Sequence, residues 1–389
     1  EKQLVGFGKA TATVIVGALL GVCINISNLY HTYQYQNESM RGKSELVKKN
    51  NANQTNSGLE RDYITMWSYG VGETWSLLIP NVKGGASVPM SENKIAMDKF
   101  SESGSQYNSS IFSSIGQYWG EQPGTSGPVY VGAFVLMLFI LGLFIVKGPI
   151  KWALLAATVL SILLAWGRKF MEFTDFFIDY IPMYSKFRTV ASILVIAEFT
   201  IPLLAMLTLK KIIDEPDLLT KKMKWVYVSF ALTGGIALLF YLAPSLFFSN
   251  YISASENQAL SQIPAEYLGP LKANLTAVRG SIFTADALRS FGIVLIGTLL
   301  LLLYKAKKLN AKFMVGCVTV LCLIDMWQVN KRYLNDGMFV EKSVRDTPQQ
   351  MTATDEQILK DRSPYYRVLN LAGDTFNENN TSFYHKSIG

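Results

Sequence analysis

LKKIIDEPDLLTKKMKW, residues 209–225, lies between two long apolar runs and carries five lysines against three acids. Two other links share its character. Residues 147–151 hold Lys147 and Lys151, and residues 305–312 hold four lysines and no acid. Apolar runs long enough to cross a bilayer, with every second link short and basic, are the pattern of a polytopic membrane protein, because lysine-rich links stay on the cytoplasmic side. The expected fold class is therefore an all-α polytopic membrane protein. About seven transmembrane helices would carry long ordered outer loops and the start of an outer soluble α/β or β domain.

Outward from these links, spans fall near 9–29, 129–146, 151–167, 187–209, 225–248, 287–304 and 313–329, within a transmembrane domain covering 1–329. With the basic links inside, the N-terminus is cytoplasmic too. Segments 30–128, 168–186, 249–286 and 330–389 then lie outside, the last as the beginning of the outer domain. YYRVLNL, residues 365–371, alternates as a strand does. The chain opens on Glu1 rather than Met and stops in mid-pattern, so we expect an internal piece of a longer protein.

At 389 residues and 50% hydrophobic, the composition does not suit an average soluble domain. The net charge of +7 sits largely in the short links, where orientation and anionic lipid headgroups explain it better than nucleic acid. Cys23, Cys317 and Cys322 fall in apolar runs and read as small buried hydrophobes. His31 and His385 are far apart, and no Cys/His spacing suggests zinc. There is no GxSxG, no HExxH and no glycine-rich phosphate loop, so cytosolic nucleotide chemistry has no support.

Four stretches carry a family likeness: SYGVGETWSLLIPNVKGG (68–85), YWGEQPGTSGPVYVG (118–132), FTDFFIDYIPMYSKFRTVAS (173–192), and YYRVLNL followed by NTSFYHKSIG (380–389). Together they resemble the YfhO family of bacterial integral membrane proteins, over nearly the whole chain. That family looks like a branch of the GT-C glycosyltransferases, many-helix enzymes that take a sugar from a polyprenyl-phosphate carrier on the outer face of the membrane. The resemblance implies a multi-pass protein of the bacterial inner membrane. Its partners would be a lipid-linked sugar donor, a cell-envelope polymer as acceptor and the surrounding lipid. The family's catalytic acid usually lies in a first outer loop that would precede Glu1, so it is carried onto no residue of this chain.

The residues offer their own candidates, each beside a plainer reading. Arg188 and Lys186 stand where the fourth span enters from outside, the depth at which a lipid-linked phosphate rests. A guanidinium there can hold two phosphate oxygens, but basic residues near helix ends also snorkel to the interface. Glu73, in YGVGETW, is the preferred general base on an acceptor hydroxyl, with Asp179 after it; Glu172 and Asp175 share the second loop. Each of them also reads as a solvated loop acid. No cofactor is expected, although two such carboxylates close together could hold a divalent ion. Tyr118, Trp119 and Tyr130 could stack on sugar rings or serve as interfacial aromatics. Glu198 lies ten residues past Arg188, roughly 15 Å along a helix and near mid-membrane. Pro202 follows it and should kink that helix. Asp325 reads as an interfacial acid. Two rival functions remain open: a transporter or lipid flippase using Glu198, and a non-catalytic envelope scaffold.

Overall fold

The computed structural model describes residues 2–39, 41–42, 53–55, 59–102, 115–248, 251–346, 349–373 and 378–388. Most of the polar residues between 37 and 58, and an Asn-Ser-Ser triplet at Asn108, lie outside them. Two compact units emerge, Glu1–Val329 and Asn330–Gly389.

The regular elements described in the first unit are all helices. α1 (Lys2–Ile24) and α2 (Ile26–Asn37) open it, and the side chains described for α1 are all exposed. α3 (Lys94–Glu102) is a short amphipathic helix. α4 (Ala133–Ile145) and α5 (Ile150–Ala165) are apolar, and α6 (Met171–Tyr180) follows α5 at a bend of 104°. α7 (Val195–Asp214) contains Pro202 in its interior. α8 (Met223–Phe230) passes through a π turn at Ala231–Gly235 into α9 (Ile236–Leu242). α10 (Ala265–Lys305) and α11 (Ala311–Tyr333) complete the set. Among the described residues, five helices are long and apolar enough to cross a membrane, or six if α5 and the bent segment after it form one broken span. This is an all-α protein with the make-up of a polytopic membrane protein.

The span expected at 129–146 is a helix of 13 residues, too short to meet that criterion. It is also the most enclosed, which a helix apolar all round requires. Phe134, Met137 and Leu141 pack with Leu204 of α7 and Val294 of α10 in one core. A Cβ at Gly142 would run into Thr208 and lie 2.9 Å from Leu204, so glycine sets how closely α4 and α7 approach.

Two of the basic links meet at one end of this bundle. Phe144, closing α4, stacks on Trp225, opening α8, at 4.1 Å, and Lys147 acts electrostatically on Glu215. The loops gather at the other end. Tyr69 N–H donates to the Ala165 carbonyl and Ala191 N–H to that of Trp67, while Asn81 N–H donates to Asp286 of α10. Residues 249–286, expected as an outer segment, are mostly helix. α10 runs 41 residues, about 60 Å at 1.5 Å per residue, twice the hydrocarbon thickness. Its first half carries a satellite core of Leu275, Val278 and Ile282 against Met90, Ala96 and Leu260.

In the second unit, α12 (Ala353–Ile358) begins at a capping box in which Thr352 and Asp355 bond each other's backbone N–H. α13 (Asn380–Tyr384) follows. Residues 365–371 do not form the expected strand. Among the described residues there is one parallel bridge, Val368 to Ser387, and no ladder, because alternation gives a segment two faces but only an extended neighbour gives it a partner.

Candidate functional site

The segment 68–85 supplies the most constrained carboxylate. A 3-10 turn, Val71–Leu77, begins after Gly70, and Glu73 at its third position folds back to accept the Gly70 N–H at 2.6 Å. Tyr118 O–H donates to the other oxygen of Glu73 at 2.5 Å, and Gln122 N–H donates to Tyr118 Oη at 3.0 Å. Gly120 makes this possible: a Cβ there would collide with Tyr118 Oη and Glu73 Oε1. The stretch 117–122 is stitched to the stretch 83–88 by Trp119 N–H on the Lys83 carbonyl, 3.0 Å, and Gln117 N–H on that of Val88, 2.7 Å.

Burial dominates the electrostatics. Glu73 is 3% exposed. Its carboxyl is pushed above the usual range by loss of water, against the opposing bonds from Tyr118 and Gly70. Burial pushes the Lys83 ammonium down, and Glu73 and Glu121 pull it back up. Glu121 is ion-paired with Lys169. Beside Glu73 is a cavity of about 10 Å³, lined also by Tyr69, Lys83 and Gln122; that is room for about one water. The site can hold a proton or a water, and a sugar would need the loops to part.

Arg188 stands in a more open setting. Its guanidinium lies 5.5 Å from the ring centres of both Tyr63 and Trp67, and its Nη1 donates to Tyr63 Oη at 2.6 Å. Trp67 Nε1–H in turn donates to the Gly124 carbonyl at 3.2 Å, linking this aromatic cradle to the loop that carries Tyr118. Arg188 also lines a groove of about 300 Å³ with Phe187, Thr189, Ser192 and Ile193, at the head of the α7 span. Met183 (φ +70°) and Thr189 (φ +68°) bracket this turn in the left-handed region. For a β-branched residue such as Thr189 that is a strained conformation, a kind that clusters at ligand clamps.

The other expected residues are engaged elsewhere. Asp179 accepts from Arg61 at 2.8 Å, and Asp175 lies 3.3 Å from the same guanidinium, so these two carboxylates face a cation. Among the described residues no group of three His, Cys, Asp or Glu side chains gathers for a metal ion. Lys186 Nζ donates to the Arg41 carbonyl at 2.7 Å, and Arg41 Nε returns a bond to the Lys186 carbonyl at 2.9 Å. Trp119 is 2% exposed, wedged between Arg279 and Tyr251, so its faces are closed to a sugar. Tyr130 is buried and donates to Asp325. Glu198 is in the first turn of α7 and exposed, not enclosed at mid-span.

Two arginines of α10 were not singled out by sequence. Arg279, fully buried, donates to both Glu256 oxygens, at 2.9 and 2.5 Å, and to the carbonyls of Tyr251 and Gly116. Arg289 donates to Asp325 at 2.5 Å, which replaces the interfacial solvation expected for that acid. Their one signal in the sequence is a pair of arginines ten residues apart, entering an apolar run. No family model, curated protein or solved structure matches the chain.

Proposed function

We propose that this chain is the membrane part of a transferase that moves a sugar from a polyprenyl-phosphate carrier to a cell-envelope acceptor on the non-cytoplasmic face. The Arg188 groove carries the reading. A guanidinium held on two aromatic rings beside an apolar groove, at the head of a membrane-spanning helix, suits an anionic headgroup whose chain lies in the bilayer. The likeness of the four sequence stretches to the YfhO family supplies the reaction class. Glu73 is the base on the acceptor hydroxyl, with Tyr118 positioning it. Lys186 and Asp179 hold the loops through Arg41 and Arg61. On this reading there are seven spans in a bacterial inner membrane, α4 and α5 being two of them, and the lysine links are cytoplasmic.

The test is native mass spectrometry of the purified protein with undecaprenyl phosphate. Arg188→Ala should weaken retention of the lipid at least tenfold, and Arg188→Lys should restore part of it. Equal retention in Arg188→Ala and wild type would rule this site out. Glu73→Gln should leave retention intact and remove transfer.

A further inference from the structure

α6 shows three different sides along its ten residues. Ile178 points inward and packs with Leu59 and Ile64. Asp175 and Asp179 share a second side, four residues apart, and both meet the Arg61 guanidinium. Phe173, Phe176, Phe177 and Tyr180 share the third, at the i, i+3, i+4, i+7 spacing of one helix face. Rings in contact run along it, from Phe170 through Phe173 and Phe177 to Tyr184. Phe176 is nevertheless 53% exposed and Tyr180 73%. An aromatic ridge left open in this way marks an interaction surface.

The elements on either side decide what lies over it. The segment Gly167–Tyr180 leaves the apolar α5 at 104°, and the chain enters the next span at Val190. Membrane helices tilt on average about 20° from the bilayer normal, so a helix at 104° to one of them lies near the membrane plane. With α5 before it and the α7 span after it, α6 is held at the level where the chain leaves the hydrocarbon. Exposed apolar surface also continues from Phe187 into the head of α7, at Val195 and Phe199, so the ridge joins the outward side of that span. We propose that α6 is an interfacial helix whose partner is the lipid surface itself, with the Phe176 and Tyr180 rings sunk about 5–10 Å into the boundary between headgroups and acyl chains. Its polar side is acidic, so the rings rather than attraction to anionic lipid supply the anchor. Tyr184, at the end of the ring chain, also lines the Arg188 groove, which sets the mouth of that groove at headgroup depth. The anchoring itself does not depend on the transfer reading, because it needs neither Glu73 nor Arg188.

Spin-label accessibility in the full chain tests this. With Cys23, Cys317 and Cys322 replaced, a nitroxide is attached at Phe176→Cys or Tyr180→Cys, with Glu92→Cys as the reference in water and Leu323→Cys, on α11, as the reference in lipid. All four positions are exposed, so the label leaves the fold untouched. The protein is placed in vesicles of phosphatidylcholine, which carries no net charge. Relaxation of each label is then measured with oxygen, which partitions into lipid, and with a neutral nickel chelate, which stays in water. We expect the oxygen-to-nickel ratio at 176 and 180 to exceed that at 92 by about tenfold or more, on the side of the label at 323. The proposal fails if 176 and 180 take up the nickel chelate as readily as 92, which would put the ridge in water. It fails equally if neither reagent reaches them, which would mean that protein, a second copy included, covers the ridge.

Discussion

Glu73 is pulled two ways, up by lost hydration and down by the Tyr118 and Gly70 donors, with hydration prevailing. A carboxyl raised in the folded state binds its proton more tightly there than in the unfolded chain. Its contribution to stability is then full below the ordinary glutamate value, about 4.3, and is lost as pH rises through the raised one. The Tm of the wild type should fall across that window, and Glu73→Gln, which mimics the protonated form, should flatten the fall. If Glu73 is the base, transfer should switch on over the same interval. Gly120→Ala should cost about 1–3 kcal/mol by overpacking, seen as a lower Tm, since its Cβ would displace Tyr118. Arg279→Ala should cost about 3 kcal/mol by stranding Glu256 and two carbonyls. The glycine–aromatic loops were visible in the sequence, and so was Glu73. Which glycine must stay bare was not, because the Tyr118 ring that would meet a Cβ at Gly120 is held there by Glu73, 47 positions before it. Asp325 reads as an interfacial acid for a similar reason: its partner, Arg289, is 36 residues away.

At the level of elements, hydropathy finds helices well and their limits poorly. The runs at 287–304 and 313–329 lie in long helices and that at 187–209 runs into α7, yet α10 extends more than twenty residues before its apolar half. Those residues are amphipathic and mixed in charge, and the Arg279 and Leu275 contacts that keep them helical are tertiary. The same limit applies to YYRVLNL, where alternation showed extended backbone but not whether a partner strand existed. Gly142→Ala should lower the Tm of the purified protein by the equivalent of about 1–3 kcal/mol, because α4 and α7 cannot separate to admit the methyl. Gly316→Ala, with open space around it on α11, should cause no loss. Equal effects from the two would mean that the α4–α7 seam is looser than its contacts imply.

For the whole molecule, sidedness is the question on which the proposed chemistry rests. With Cys23, Cys317 and Cys322 replaced, a single cysteine at Glu92 should react with an impermeant maleimide on intact cells. One at Lys308 should react only after permeabilisation. The reverse pattern would place the Arg188 groove on the wrong side for a carrier sugar. α10 bears on this at a larger scale. From Arg279 to Lys305 it is one hydrogen-bonded rod without an interior proline, the only one, Pro270, lying before that stretch. Such a rod resists compression along its axis, so a push along it at the Arg279 end would reach the Lys305 end with little loss.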